Sequence, residues 1–212
     1  LWESDRKPPL DHARVADDLV LPVNAKTTAS QSWWGTMVML VVDACIFASF
    51  GYAYVHVSMR LQVCPPPGAA LPDLSSQLVS GGLLVASSVL MLLAVRALGK
   101  RRLPWLVLLA LGCSAASFLL DLRGHQFAGL DPAASAWGAA IGALLSYQGL
   151  HVAVLALAGP YLALRAWRGH LGERSRATLD NVALLWHYTT LQGIAGMVLV
   201  HGLPALMPWL ME

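Results

Sequence analysis

Three ionisable side chains lie inside long apolar segments, where such residues are rare. Asp43 lies about ten residues into the first segment, His151 near the centre of the fourth, and His187 about a turn and a half into the fifth. An ionisable group within a bilayer is costly, and it usually faces the protein interior and marks a functional site. We therefore identify Asp43, His151 and His187 as candidate functional residues. For each, the alternative is a hydrogen bond that only locks two helices together.

The histidines raise the possibility of a b-type haem, which often takes two axial histidines from facing helices. Those in or near apolar segments are His56, His151, His187 and His201. The depths of His151 and His187 argue against a ligand pair, because the first lies near the middle of its segment and the second nearer one end. The sequence has no zinc or copper ligand spacing, no P-loop, no nucleophile elbow and no dinucleotide fingerprint. We expect no catalytic residue and no metal ligand in this chain.

Five apolar segments are long enough to position these residues within a membrane, since a bilayer core requires about 20 helical residues. Hydrophobic residues make up 57% of the 212 residues and charged residues 12%, and the mean hydropathy is +0.58. The pattern predicts an all-α integral membrane protein, a bundle of five transmembrane helices (33–212) preceded by an N-terminal arm (1–32). The predicted spans are Trp33 to Val57, Leu78 to Leu98, Leu103 to Leu122, Trp137 to Trp167 and Val182 to Leu203.

Basic residues predict the orientation of the bundle. Twelve of the 14 Lys and Arg residues fall in the N-terminal arm, the turn at 96–102 and the loop at 165–176. The two other connections hold one each, Arg60 and Arg123. Because loops rich in Lys and Arg stay in the cytoplasm, we expect a cytoplasmic N-terminus and a periplasmic C-terminus. The net charge of +2 is too small to indicate a nucleic-acid partner.

Small residues predict where helices approach closely. Gly138 and Gly142 have the GxxxG spacing, and Gly193 and Gly196 lie in the last span. Membrane helices associate through close backbone contact at such positions. We therefore expect ordinary helix–helix packing there.

The first, fourth and fifth helices each carry a recognisable run of residues. They are Trp33-Trp34-Gly35 with Asp43 and Phe47 following, Gln148-Gly149-Leu150-His151-Val152, and Leu185-Trp186-His187-Tyr188. In this order they resemble motifs of subunit III of the haem–copper oxidases, namely a WWG helix with a buried glutamate, HGLHV and YWHF. The resemblance covers about 170 residues. The chain departs from the family at Asp43, which replaces the glutamate, at Gln148, which replaces a histidine, and at Thr190, where many members carry aspartate.

The resemblance implies a non-catalytic accessory subunit of a proton-pumping terminal oxidase in a bacterial inner membrane. Haem and copper would lie in partner subunits I and II, and cytochrome c or quinol would act only through other subunits. Subunit I would be the main contact, with small subunits also possible. This chain would stabilise subunit I, hold structural phospholipid and support proton uptake.

The resemblance also implies roles for individual residues. Asp43 and His151 would form a buried polar pair, with His187 as a further buried polar residue. Trp34, Arg165 and Arg168 would bind lipid headgroups, as basic residues at a cytoplasmic membrane edge can do.

Alternative functions remain open. One is the equivalent subunit of a quinol oxidase or of a nitric oxide reductase-associated homologue. Another is a small b-type cytochrome that uses His151 with His187 or His56. A channel or transporter is disfavoured, because the sequence shows no internal repeat. The five-helix form lacks the first two helices of longer family members, and the arm at 1–32 resembles the connector of fused subunit I+III polypeptides.

Overall fold

The computed structural model consists of five long helices and a short two-stranded ribbon. It describes residues 12–14, 20–22, 31–61, 63–172 and 176–210. Among the described residues, each of the five helices is long and apolar enough to cross a membrane, which confirms the helical class and the prediction of five helices able to span. The helices are α1 (Gln31–Met59), α2 (Leu74–Arg96), α3 (Leu103–Phe127), α4 (Ala136–Trp167) and α5 (Arg176–Leu210). Strands β1 (His12–Arg14) and β2 (Val20–Pro22) pair antiparallel, with Ala13 opposite Leu21.

Several helices extend beyond the apolar segments that predicted them. α2 begins four residues earlier than expected, α3 ends at Phe127 rather than Leu122, and α5 begins at Arg176. Hydropathy falls at the first ionisable residue, whereas a helix continues as long as its backbone bonds are satisfied internally. The correction matters most in α3. It places both Asp121 and His125 inside the helix, whereas the prediction placed Asp121 at the helix end and His125 in a loop.

The ends of α3 have clear local causes. Pro104 lies in its first turn, where the missing proline N–H costs no helical hydrogen bond. At the other end Gly129 adopts a positive φ of 77°, and the Leu130 N–H donates to the His125 carbonyl at 3.0 Å. This is the Schellman arrangement, in which a left-handed glycine turns the chain out of the helix. α4 ends in the same way at Gly169.

The bundle has two apolar clusters separated by a polar middle. One cluster lies around the α2–α3 turn and includes the fully buried Met91, Val107 and Trp186. The other lies towards the opposite end and includes Tyr54 and Trp137. α2 packs on α3 and α5, α3 on α4, and α1 on α4 and α5. Most ionisable side chains discussed below lie between the two clusters or beside the second.

The glycines have different neighbours. An added Cβ at Gly193 would lie 2.7 Å from Gln148 Nε2, so this glycine allows α4 and α5 to pack closely, as predicted. The prediction of helix packing is wrong for Gly138 and Gly142. An added Cβ at Gly138 would lie 2.5 Å from a backbone oxygen of the preceding loop, and one at Gly142 would touch Pro132. At Gly196 a Cβ would meet no atom within 4 Å.

Candidate functional site

Asp43 of α1 contacts two residues of α4 in the middle of the bundle. The Tyr147 hydroxyl donates to Asp43 Oδ1 at 2.6 Å, and His151 Nε2 lies 3.0 Å from Asp43 Oδ2. The side chains of His151 and Asp43 are 8% and 23% exposed. The structure therefore brings together the acid of the WWG helix and the histidine of the QGLHV helix.

The partners of His151 determine where its protons lie. Its Nδ1 is 2.9 Å from the Tyr147 carbonyl oxygen, and because a carbonyl only accepts, Nδ1 carries a hydrogen. In neutral imidazole Nε2 is then an acceptor, and it faces a carboxyl oxygen. This contact is attractive only if the carboxyl is protonated or the imidazole is doubly protonated.

Asp43 Oδ2 and His151 Nε2 are close to each other but poorly aligned for a hydrogen bond. Oδ2 of Asp43 has no partner that meets the angular requirements of a hydrogen bond, although Nε2 of His151 is 3.0 Å away. Two oppositely polarised atoms 3.0 Å apart in a low-dielectric interior attract each other even when they are poorly aligned. The contact is an electrostatic pair with a loosely aligned proton.

Aromatic rings enclose His151. The Tyr147 ring lies edge-on to it with centroids 4.9 Å apart, and the Tyr188 ring of α5 lies 5.7 Å away. His187 is not part of this group. Its Nδ1 is 2.6 Å from the Ser88 hydroxyl of α2, so the structure assigns the two predicted histidines to different contacts.

The predicted lipid-binding residues lie at one end of the bundle, where α1 begins and α4 ends. Trp34 is 58% exposed. Arg165 donates to the Tyr161 hydroxyl at 3.1 Å and to the His170 carbonyl at 3.3 Å. Arg168, which follows the last residue of α4, is exposed. These positions present an indole and a guanidinium at a helix terminus, where lipid headgroups would lie.

Sequence reasoning missed a second polar group. Asp121 and His125 are one turn apart on α3, with His125 Nε2 3.6 Å from Asp121 Oδ1, and both are buried. Buried glutamines from three further helices lie around them: Gln77, Gln148 and Gln192. The i, i+4 spacing of Asp121 and His125 was a usable signal, but α3 was predicted to stop at Leu122.

All five residues of this second group line one cavity. The cavity offers about 30 Å³ to the centres of water-sized molecules. In the part of the chain that the structure describes, no cluster of three or more His, Cys, Asp and Glu residues is arranged to hold a metal ion. Apart from these three carboxamides, one carboxyl and one imidazole, the residues that line the cavity are apolar.

No family model matches this chain, and a search of the curated proteins finds no match either. The resemblance to oxidase subunit III therefore stays a prediction from the sequence.

Proposed function

We propose that this chain is a non-catalytic accessory subunit of a haem–copper terminal oxidase, equivalent to subunit III. It would lie in a bacterial inner membrane with a cytoplasmic N-terminus and a periplasmic C-terminus. The observation that carries the proposal is the contact of Asp43 with Tyr147 and His151. The two most distinctive sequence runs, in α1 and α4, meet at their polar residues in the middle of the bundle.

This contact suits an accessory role. Among the five helices, α1 has the smallest buried share of its apolar segment. Two polar contacts tie it to the centre of the bundle. The remaining surface of α1 is apolar and exposed, for example at Val38, Val41 and Val42. Such a face can pack against lipid or against the large oxidase subunit I. Haem, copper and the electron-donor site would belong to subunits I and II.

Structural phospholipid fits the same end of the bundle. The exposed Trp34 ring and Arg168 would engage headgroups, and Arg165 would present its guanidinium beside Tyr161. A cationic side chain near the membrane surface contributes about 1 kcal/mol of attraction to an anionic headgroup. Bound lipid would seal the edge between this chain and subunit I and so support the proton uptake and durability of the complex.

The geometry favours this proposal over a b-type cytochrome. Both ring nitrogens of His151 already contact protein oxygens, at 2.9 and 3.0 Å. His187 faces the Ser88 hydroxyl, and His56 stacks on Tyr52 some 13 residues beyond Asp43 on α1. An axial haem ligand would have to give up these contacts. A quinol oxidase and a nitric oxide reductase-associated homologue would use the same accessory role and differ only in their other subunits.

Purification through an affinity tag on this chain tests the proposal. The chain would be extracted in mild detergent from the organism that encodes it, and its partners, haem and copper would be measured. We expect a large haem- and copper-bearing subunit to co-purify, and the haem spectrum to stay with that subunit and be absent from this chain when the two are separated. Haem that stays with the isolated chain would instead make it a cytochrome.

A matched pair of variants adds a functional measurement. Asp43→Ala removes the contact with α4, whereas Val42→Ala changes an exposed apolar neighbour on the same helix. We expect Asp43→Ala alone to shorten the time over which the purified complex keeps its oxygen-reducing activity and to lower its phospholipid content. Equal lifetimes and lipid contents for both variants and the unmodified protein would count against the proposed role of Asp43.

A further inference from the structure

Two exposed tryptophans from different helices touch each other at the end of the bundle where α2 turns into α3. Trp105 lies in the first turn of α3, and Trp167 is the last residue of α4. Their rings meet edge to face, with centroids 5.7 Å apart, although Trp105 is 63% and Trp167 53% exposed. This contact, which we call the indole pair, joins two helix ends into one surface.

The indole pair lies at the depth of lipid headgroups. Leu103 begins one apolar span and Trp167 ends another, so both rings lie at the boundary of the hydrocarbon core. Tryptophan favours that depth because its ring is apolar while its N–H can still reach a polar partner. A single indole there is an ordinary anchor of a membrane helix. Two indoles in contact across a helix junction form a shared apolar surface, on which one acyl chain can pack.

Basic side chains flank the indole pair. Lys100, Arg101 and Arg102 come directly before α3, and all three are exposed. Arg102 has a helical backbone conformation and precedes Trp105 by three residues, so these two side chains are neighbours on one side of the helix. Arg168, which follows the last residue of α4, is exposed as well. Positive charge therefore approaches the two rings from both helices.

The positive charge of this surface is not balanced by the acids that the structure describes. Within the described ranges, the ion pairs involve other residues than these four basic side chains. At the start of α5 the Asp180 carboxylate is already held by Arg176 at 3.4 Å. Clusters of Lys and Arg beside a membrane helix attract anionic lipid. The surface is therefore complementary to a lipid with a negatively charged headgroup.

We propose that the indole pair and the arginines beside it form a binding site for one anionic phospholipid. The phosphate lies against Arg101 and Arg102, and an acyl chain packs on the rings of Trp105 and Trp167. A zwitterionic lipid binds less tightly, because the same arginines repel its ammonium group. The site belongs to α3 and to the end of α4, apart from Trp34 of α1, and it holds whatever complex the chain joins.

The opposite end of the bundle provides matched control positions. Arg60 and Arg123 are exposed there, and Phe127, the last residue of α3, is 90% exposed. A general attraction between lipid and a basic surface depends on net charge, so it weakens similarly whichever two exposed arginines are removed. A binding site depends on the two arginines before α3 and on the indole pair together.

Native mass spectrometry of the full chain in detergent tests the site with two probes, phosphatidylglycerol and phosphatidylcholine. We expect the first phosphatidylglycerol to bind about tenfold more tightly than phosphatidylcholine. Arg101→Gln combined with Arg102→Gln should weaken phosphatidylglycerol binding roughly 30-fold, the effect of two basic side chains near a membrane surface. Arg60→Gln combined with Arg123→Gln removes the same charge far from the site and should weaken it less than about threefold, since distant charges are screened.

Variants of the rings complete the experiment. Trp105→Leu combined with Trp167→Leu leaves every charge in place and should weaken phosphatidylglycerol binding about tenfold, because it removes the aromatic surface. Phe127→Leu changes an exposed ring at the other end and should leave binding unchanged.

Three results would overturn the proposal. Equal losses for the two arginine pairs would mean general attraction to a basic surface. Unchanged binding after loss of both indoles would mean that the rings take no part. Displacement of the lipid by an equal concentration of soluble glycerophosphate would mean a site for a soluble anion instead.

Discussion

Replacing Asp43 by asparagine and by alanine separates the hydrogen-bonding role of this residue from its charge. Alanine removes both contacts with α4. Asparagine can keep both, because its carbonyl oxygen can accept from the Tyr147 hydroxyl and its amide can donate to His151 Nε2. That nitrogen is free to accept because Nδ1 carries the hydrogen that contacts the Tyr147 carbonyl.

The expected loss of stability follows from the strength of the two contacts. Hydrogen bonds between membrane helices average about 0.6 kcal/mol and reach about 1.7 kcal/mol. Asp43→Ala should therefore lower the free energy of unfolding by roughly 1–3 kcal/mol, or roughly 5- to 150-fold in the unfolding constant. The loss stays moderate because the Tyr147 hydroxyl also lies 3.3 Å from the Asp43 carbonyl oxygen, which remains. Asp43→Asn should cost less than about 0.5 kcal/mol.

Reversible unfolding in bicelles, followed by tryptophan fluorescence, measures both variants. Ser49→Ala is the matched control, since it removes an exposed hydroxyl of the same helix that donates to the Cys45 carbonyl one turn earlier. The reasoning fails if asparagine destabilises the protein as much as alanine does. That result would mean that the negative charge itself stabilises the bundle and that His151 is an imidazolium.

Four further predictions concern other parts of the chain. Gly138→Ala should lower stability by about 1–3 kcal/mol, because its methyl group would strike a backbone oxygen, whereas Gly196→Ala should be nearly neutral; equal thermal stabilities would contradict this. Trp186→Phe should cost about 1 kcal/mol in the same assay, because it removes a buried 2.8 Å hydrogen bond to the Ser87 hydroxyl; an unchanged unfolding free energy would contradict that value. Burial raises the pKa of the Cys64 thiol, so its alkylation rate should keep rising above about pH 8.5, where an ordinary thiol is already half ionised. An impermeant maleimide should reach Cys64 from the periplasmic side, and labelling only after permeabilisation would contradict the proposed orientation.

The sequence predicts the five helices well because few structures satisfy their own backbone hydrogen bonds inside a bilayer. Each apolar segment of sufficient length must be a helix, so all five spans emerge from hydropathy. The partner of Asp43 could also be predicted from the sequence, because an acid in the middle of a span usually faces a polar group inside the protein. His151 lies at a matching depth of an antiparallel helix, and the structure pairs the two at 3.0 Å.

Other features depend on tertiary contacts that a linear pattern does not contain. His187 comes directly before Tyr188, whose ring lies beside His151, but its own direction around α5 takes it to Ser88. Asp121 and His125 were overlooked because a prediction from hydropathy ends a helix where polar residues begin. In the structure α3 continues past both residues, which are buried against neighbouring helices. Gly138 and Gly142 fit the GxxxG spacing, yet the partner that needs their missing side chains is a loop.

The packing of α1 has a consequence for how the protein is made. α1 leaves the ribosome before α2 to α5, and among these its partners are the last two, α4 and α5. The residue that bonds the Asp43 carboxyl, Tyr147, follows 104 residues later, which at about 5–20 residues per second is roughly 5–20 s of synthesis. The Asp43 carboxyl can therefore gain its partners only after α4 has been made, which makes the docking of α1 onto α4 a late step of biogenesis.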